Sequence, residues 1–255
     1  MKKLLLLSAL LIFACSSDDS TSDNNNDPSA KKLLSISRVN QACGVYYNSN
    51  FSYQNERLAS ATYQYVFEPC DGGNTEFGNQ YTDQYEHFSD RIIENSEEYG
   101  VTEFLINDDG TLIDESIVFN NGYLTSAANI LYVWNEGYLT SINYNDNLDT
   151  VITDNTYFEY SDYDNLLGVL PNWYLYPGEG SAYYILGLYG KGSNKLPSII
   201  ETEYVTDDEI DLDRYEFSYV FDDDGYVIYF DIINTNTYQG ETNVYTWSVE
   251  LTYAD

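Results

Sequence analysis

Short runs of β-branched and aromatic residues, separated by polar turns, dominate the chain from Leu33 onward. Runs such as 117–119, 130–134 and 226–230 are only a few residues long and rich in Ile, Val and Tyr. Such runs, with a period near two, are typical of β-strands, whereas a helix needs a period of about 3.6. The pattern predicts an all-β chain. The weak exception is 83–99, where the mixed spacing of apolar residues allows a short helix.

A turn unit repeats between the strands. Close copies occupy 119–126 and 134–141, looser copies occupy 106–112 and 221–227, and 53–58 is a version without glycine. Each unit ends one strand, turns through Asn, Asp or Gly, which tolerate left-handed conformations, and begins the next strand. Consecutive hairpins form an antiparallel meander, because one hairpin cannot bury its own face. We predict a curved open sheet or a partly closed barrel, with a β-sandwich as the alternative.

The first 30 residues follow a different pattern. Two lysines precede an apolar run that ends at Cys15, and a polar stretch rich in Ser, Asp and Asn follows. A positive start and an apolar segment of about 7–15 residues are typical of an export signal. We predict a signal peptide at 1–14, a lipidated cysteine and disordered tether at 15–30, and a single β-rich domain at 31–255. The alternative is an ordinary cleaved signal with a free Cys15.

Cys43 and Cys70 are the two cysteines of the predicted domain. An exported protein reaches an oxidising compartment, where an even pair favours one disulfide. The chain-entropy model gives a loop of this length about 3 kcal/mol of stabilisation. Two unrelated buried thiols are the alternative.

The composition is strongly acidic and rich in tyrosine. The chain has 42 Asp and Glu residues against 10 Lys and Arg, a formal net charge of −32, and 28 tyrosines. This charge repels nucleic-acid phosphate, so we expect no nucleic-acid partner. Glu209, Asp211 and Asp213 share one strand face and offer the oxygen ligands that Ca²⁺ takes, and we expect no other cofactor. The alternative is a solvated strand edge that discourages aggregation.

Two prolines bracket the segment that holds Trp173, Tyr174 and Tyr176. Proline restricts the local backbone and favours an extended or turn path. Rings that face solvent would form a stacking platform for a sugar or a peptide. Rings that face inward would close one end of the sheet, and the core is the usual place for such clusters. These three residues are the candidate ligand-binding residues, and both orientations stay open.

The sequence offers little for catalysis. His87 is the only histidine, so a Ser-His-Asp triad would depend on it. The Gly-x-Ser-x-Gly signature of a nucleophile elbow does not occur. We predict a protein without enzymatic activity, with an envelope hydrolase as the alternative.

Three elements in the second half of the chain carry a resemblance. They are Tyr-Ser-Asp-Tyr-Asp-Asn at 160–165, Gly-Ser-Asn-Lys-Leu-Pro at 192–197, and an aromatic strand ending in Asp-Gly-Tyr at 219–226. With them the chain resembles an uncharacterised family of Bacteroidetes-type lipoproteins, and its hairpin units resemble YD/RHS repeats. Val227 stands where that family usually has proline. The resemblance implies a β-rich fold and a lipid anchor, and it offers no catalytic residues.

The expected location is the outer membrane, with attachment through the N-terminal lipid. Ser17, Asp18 and Asp19 resemble the acidic surface-export tag of Bacteroidetes-type lipoproteins, which favours the cell surface. On an exported and tethered domain, the many aromatic residues suggest a non-catalytic binding module for a glycan or a peptide. The alternative is a structural or assembly lipoprotein of the outer membrane, in which the tyrosines serve only as packing pairs and no small ligand binds.

Overall fold

The structure is a computed structural model that describes residues 31–39, 44–69, 73–144, 153–175, 177–178, 180–205 and 210–254. Its strands, in chain order, are β1 (Leu33–Val39), β2 (Gly44–Gln54), β3 (Arg57–Glu68), β4 (Glu76–His87), β5 (Arg91–Ser96), β6 (Gly100–Leu105), β7 (Ile117–Asn120), β8 (Tyr123–Ala127), β9 (Ile130–Asn135), β10 (Tyr138–Tyr144), β11 (Thr153–Asp164), β12 (Lys195–Val205), β13 (Ile210–Phe221), β14 (Val227–Tyr238) and β15 (Glu241–Tyr253). The connection between β11 and β12 holds a 3-10 helix, Pro171–Leu175, and the α-helix α1, Ser181–Ile185. In these described ranges no helix is long and apolar enough to cross a membrane.

All fifteen strands belong to one antiparallel sheet. Neighbours in the sheet are neighbours in the chain, except that β1 pairs with β15, so the order runs from β6 through β1 and β15 to β7. Strand hydrogen bonds do not close the sheet between β6 and β7. The predicted open, curved meander of hairpins is therefore confirmed. A β-sandwich is wrong, because one sheet carries every strand of the described residues.

The short helix allowed at 83–99 is also wrong. These residues complete β4 and form β5, in which Tyr85 faces Glu94 across the two strands. Buried residues alternate with exposed ones there: on β4, Asp83 and Tyr85 are buried, while the residues that follow each of them are exposed. Burial of every second side chain on a sheet face outweighs the weak helical spacing.

Alternation along the strands separates a buried inner face from a more exposed outer face. Ile36, Phe230 and Val249 are buried on the inner face. Hydroxyl pairs bridge neighbouring strands on the outer face: Ser35 with Thr252, Ser52 with Ser60, and Thr62 with Thr82, with oxygens 2.6, 2.7 and 3.1 Å apart. The inner face therefore supplies the core, while the outer face carries both hydroxyl pairs and exposed apolar side chains such as Leu131 and Val133.

The segment 165–194, which we refer to as the crossover, packs against the inner face. Its buried side chains belong to the same hydrophobic cluster as those of the strands. The ring of Tyr174 packs edge-on against Tyr219 and Phe230, with ring centroids 6.1 and 5.6 Å apart. Edge-to-face aromatic pairs of this kind add to the stability gained by burial. The sheet thus curves around its own connection and not around a second sheet.

Every second turn of a meander lies at the same end of the sheet. The turns after β2, β4, β7, β9 and β13 share one end with the crossover. All five repeated turn units lie at this end, which we refer to as the repeat end. Asn55, Asn121 and Gly122 adopt positive φ there, at 50°, 53° and 80°, as expected of such turns.

The opposite end, the far end, carries the other set of connections. The turns at 97–99, 128–129 and 239–240 lie here. The remaining strands that end here are joined by 40–43, 70–72, 145–152 and 206–209, which lie outside the described residues.

Candidate functional site

A cavity of about 820 Å³ opens at the repeat end. Buried apolar side chains of the sheet and the crossover line it, namely Leu33, Leu58, Ile92 and Val169. The turns of the repeat end and the crossover form its rim. Ligand sites are typically concave, about 300–1,000 Å³ in volume, and mainly apolar with a few polar groups. The cavity therefore has the size of a site for a small ligand, with a lining about as polar as it is apolar.

Basic residues are concentrated around this cavity. Of the ten Lys and Arg residues, two lie in the predicted signal peptide and four line the cavity: Lys31, Lys32, Arg57 and Lys191. The acidic residues in the lining are Glu56, Asp108 and Asp109. In a chain with a formal net charge of −32, this is a local concentration of cations, although carboxylates of the protein lie beside them.

Two of these cations are held by carboxylates of the protein. The Nζ atom of Lys31 lies 2.8 Å from Asp222 and 2.6 Å from Asp224 in the turn between β13 and β14. The hydrogen bond to Asp222, followed by the one to Asp224, raises the pKa of Lys31. Lys32 pairs with Glu56 in the turn between β2 and β3. These pairs fix where the chain enters the sheet.

The other two cations have no carboxylate partner among the described residues. Arg57 is exposed at the start of β3, and Lys191 lies with its Nζ atom 5.7 Å from the centre of the Tyr123 ring. A cation over an aromatic face gains a modest attraction and keeps its charge. Arg57 and Lys191 are therefore the groups that can pair with a ligand.

Two glycines place Lys191 on the cavity wall. A Cβ atom on Gly190 would lie 2.3 Å from the carbonyl oxygen of Gly122, and one on Gly192 would lie 2.1 Å from that of Val169. Neither position tolerates a side chain. The close approach lets the Lys191 amide donate to the Gly122 carbonyl at 2.8 Å. The crossover is thus attached directly to the turn between β7 and β8.

The residues that carry the family resemblance hold the crossover in place. Asn165 is buried; its Nδ2 donates to the carbonyls of Val169 and Ser193 at 2.8 and 3.0 Å, and its Oδ1 accepts from Tyr174 at 2.9 Å. The Ser193 hydroxyl accepts from the Leu139 amide at 3.1 Å. A buried polar side chain is stabilising when its hydrogen bonds are made. These motif residues are structural, and they shape the wall of the cavity.

The candidate aromatic platform is not on the surface in this structure. Trp173 and Tyr174 are 3% and 0% exposed, so they follow the inward alternative. The indole nitrogen of Trp173 donates to Ser181 at 2.9 Å, and burial raises the pKa of Tyr174 well above its usual range. Both rings belong to the core cluster on the inner face, and Trp173 contributes to the cavity lining from there. Tyr176 lies outside the described residues.

The acidic run does not assemble an ion site among the described residues. Asp213 accepts hydrogen bonds from Asn236 at 2.5 Å and Tyr204 at 3.3 Å, and Asp211 accepts from the Gln239 amide at 3.0 Å. Their oxygens therefore tie neighbouring strands together. In the described part of the chain, no group of three ligating side chains could hold a metal ion. Glu209 lies outside that part.

All three cysteines lie outside the described residues. Gly44, next to Cys43, faces Glu68 across β2 and β3, and Glu68 is two residues before Cys70. The disulfide between Cys43 and Cys70 stays a prediction.

His87 lines the cavity but is engaged with the backbone. Its Nε2 atom lies 2.7 Å from the carbonyl oxygen of Leu58 on β3. Asp109, also in the lining, accepts from both the amide and the hydroxyl of Thr111, at 3.1 and 2.7 Å. Both side chains hold local structure at the repeat end.

Glu94 is a buried group that sequence reasoning did not single out. Its two carboxylate oxygens accept hydrogen bonds from Tyr85 at 3.0 Å and from Tyr183 of α1 at 3.2 Å. Burial raises the pKa of Glu94, and the charge of Asp83 adds to the rise, while the two tyrosine hydrogen bonds oppose it. Glu94 therefore links the crossover to β5. The available signal was that Glu94 lies two residues after Ile92 and so shares its strand face. The sequence gives no sign that Tyr183, far along the chain, is its partner.

The fold is similar to that of a known protein. A solved structure described as a porin-like protein from Bacteroides uniformis ATCC 8492 has a TM-score of 0.58, at 16% sequence identity, over 88% of this chain and 96% of that chain. At this identity the likeness concerns the fold alone. No family model matches the sequence, and no curated protein matches it.

Proposed function

We propose that this protein is a non-catalytic, lipid-anchored binding protein of the cell envelope, and that the cavity at the repeat end binds a glycan or a peptide. The observation that carries the proposal is the cavity itself: a lining of apolar side chains and polar groups, with two cations, Arg57 and Lys191, that lack a carboxylate partner among the described residues. An apolar interior binds the flat face of a sugar or a side chain, while fixed polar groups orient it.

The location rests on the N-terminal segment. Cys15 at the end of an apolar signal and the following Ser-Asp-Asp support a lipid anchor at the outer membrane, facing the cell surface. The similar fold of a porin-like Bacteroides protein agrees with an envelope protein. The net charge argues against nucleic acid as a partner.

The attachment point favours a cavity that faces the membrane. Lys31, the first described residue, lies on the cavity rim. The tether 16–30 would span at most about 50 Å when fully extended. An anchor at Cys15 would thus hold the domain within about 50 Å of the lipid surface, attached at its cavity end.

A binding experiment with matched variants tests the ligand site. Purified full-length protein would be screened on glycan and peptide arrays. We expect a ligand whose binding falls at least about tenfold in the Arg57→Ala, Lys191→Ala double variant, since two charge-assisted contacts are lost. Lys195→Ala is the control, because Lys195 pairs with Asp164 outside the cavity lining. Equal binding by all three proteins would contradict the site.

The anchor and the absence of catalysis have separate tests. Fatty-acid labelling of cells should modify the wild-type protein and not Cys15→Ala, and protease treatment of intact cells should remove the domain.

An envelope hydrolase would cleave array ligands, and His87→Ala would abolish cleavage. Unchanged ligands after prolonged incubation are the result that we expect.

A structural or assembly role is the second candidate. It is favoured by the open edges β6 and β7 of a sheet that is otherwise paired throughout. Such a role would leave the arrays without a ligand.

A further inference from the structure

The strand count leaves one position in the sheet unfilled. Fifteen antiparallel strands run from one edge to the other, so the two edge strands, β6 and β7, run in the same direction. Antiparallel closure therefore needs one more strand between them, antiparallel to both. The linker 106–116 joins β6 to β7 and has to run in that direction.

The linker begins to fill this position and then leaves it. Ile106 faces Leu112 in an isolated bridge, and the Ile113 amide donates to the Leu105 carbonyl at 2.7 Å. Two residues later the chain turns. Asp114 Oδ1 accepts from the amide and the hydroxyl of Ser116, at 2.7 and 2.5 Å. Pairing with β6 therefore stops at Leu105.

Charge disfavours longer pairing, even with Arg91 of β5 in contact with Glu103. Continuing the register from Ile113 opposite Leu105 would place Glu115 opposite Glu103. Like charges directly opposite each other destabilise a strand pair. Asp114 offers the backbone an alternative, because Asp side chains favour local turns over strand pairing.

An accessible edge remains on β6. The Leu105 carbonyl points away from β5 toward Ile113, so the backbone groups of Glu103 and Val101, two and four residues earlier, point the same way. Within the described ranges β6 pairs with no strand other than β5. Val101 is 73% exposed. The edge has no lysine, proline or bulge, and its one charged residue is Glu103, a half-exposed carboxylate that also contacts Arg91 of β5 at 3.1 Å.

We propose that the β6 edge accepts an extended segment of another protein, running antiparallel to β6, with a Lys or Arg opposite Glu103. Main-chain hydrogen bonds would provide the binding, as in other cases of strand addition. A basic segment is favoured over a second copy of this chain, because two copies with a formal charge of −32 each repel one another. The inner residue Phe104 already packs on Tyr183, with ring centroids 5.4 Å apart, so the edge is held in place before binding. This interaction is separate from the ligand cavity.

A peptide probe tests the proposal on purified full-length protein. The probe is the synthetic peptide Thr-Val-Thr-Lys-Thr-Val-Thr, whose lysine would face Glu103. N-methylation of the lysine blocks the hydrogen bonds toward β6, while N-methylation of the neighbouring threonine modifies the opposite edge. We expect binding about tenfold weaker for the first modified peptide and unchanged for the second. Hydrogen exchange at the Val101 and Glu103 amides should slow on binding. No binding, or equal effects of both modifications, would overturn the proposal.

A variant that fills the position from within the chain provides an independent measurement. Glu115→Lys should pair with Glu103 and extend the linker along β6, so that the Glu103 amide becomes protected without peptide and the probe no longer binds. Glu98→Lys makes the same charge change in the turn before β6 and should leave binding intact. If Glu115→Lys neither protects Glu103 nor affects the probe, β6 is not the edge in use. The Arg57→Ala, Lys191→Ala variant should bind the probe normally, which separates this surface from the cavity.

Discussion

The two ends of the sheet have similar turns but different surroundings. Ala128 and Gln239 in far-end turns adopt positive φ, as Asn55 and Asn121 do at the repeat end. The crossover, however, begins and ends at the repeat end, which carries the described cavity with its four basic residues, and it extends under the sheet to Arg38 and Tyr47 nearer the far end. Turn chemistry by itself therefore does not locate a site. The location depends on which turns share an end and on what packs beneath them.

Aromatic residues of the repeated units show the same difference. Tyr123 packs on Trp134, with ring centroids 4.6 Å apart, and Tyr138 packs on Tyr160 at 5.3 Å. These pairs surround the crossover. The repeated units thus support the crossover, and the proposed ligand site lies between these units and the crossover.

The largest expected effect comes from removing one large buried side chain from the core near the repeat end. Tyr174→Ala should lower the free energy of unfolding by about 3–5 kcal/mol, because a large buried ring and its contacts are lost. Tyr245→Ala on β15 toward the far end, where Tyr245 is 48% exposed, should cost less than about 0.5 kcal/mol. Urea unfolding of both variants measures the difference. Similar losses would mean that the crossover does not dominate the core.

The far end should depend on a covalent link instead. If Cys43 and Cys70 form a disulfide, Cys43→Ala combined with Cys70→Ala should cost about 3 kcal/mol in an oxidising buffer and nothing further in a reducing one. Mass spectrometry of a non-reduced digest identifies the bond directly. Free thiols at both positions would contradict the prediction.

A smaller effect compares two buried asparagines. Asn165→Ala at the repeat end should cost about 2 kcal/mol, because it leaves two carbonyls and the Tyr174 hydroxyl without their partner. Asn234→Ala on β14 should cost less, because the Asn234 Nδ2 atom has no hydrogen-bond partner among the described residues. Thermal unfolding of both variants ranks them. The reverse order would show that the crossover tolerates loss of this hydrogen-bonded link.

Much of the fold was predictable from local pattern, and most of the site was not. Asn121 and Gly122 specify a hairpin through their own backbone preferences, so the meander follows from neighbouring residues. The orientation of Trp173 depends on a contact with a sheet face assembled from distant strands. Assigning turns to one end also requires a correct strand count, and the helix allowed at 83–99 would have altered that count. The cavity therefore became visible only with all the strands in place.

The smallest expected effect is a pH dependence of the free energy of unfolding that comes from Glu94, which links β5 to Tyr183 of the crossover. The pKa of Glu94 is raised above its ordinary value of 4.5, first by burial. A raised pKa means that the folded protein binds this proton more tightly than the unfolded chain, so stability falls as pH rises through the ordinary value toward the folded one. Glu94→Gln removes this loss, and its stability relative to wild type should increase from acidic to neutral pH. Glu86→Gln, on the exposed outer side of β4, should show no such trend. Urea unfolding across that pH range decides between them, and parallel curves for wild type and Glu94→Gln would exclude a buried, ionisable link between β5 and Tyr183.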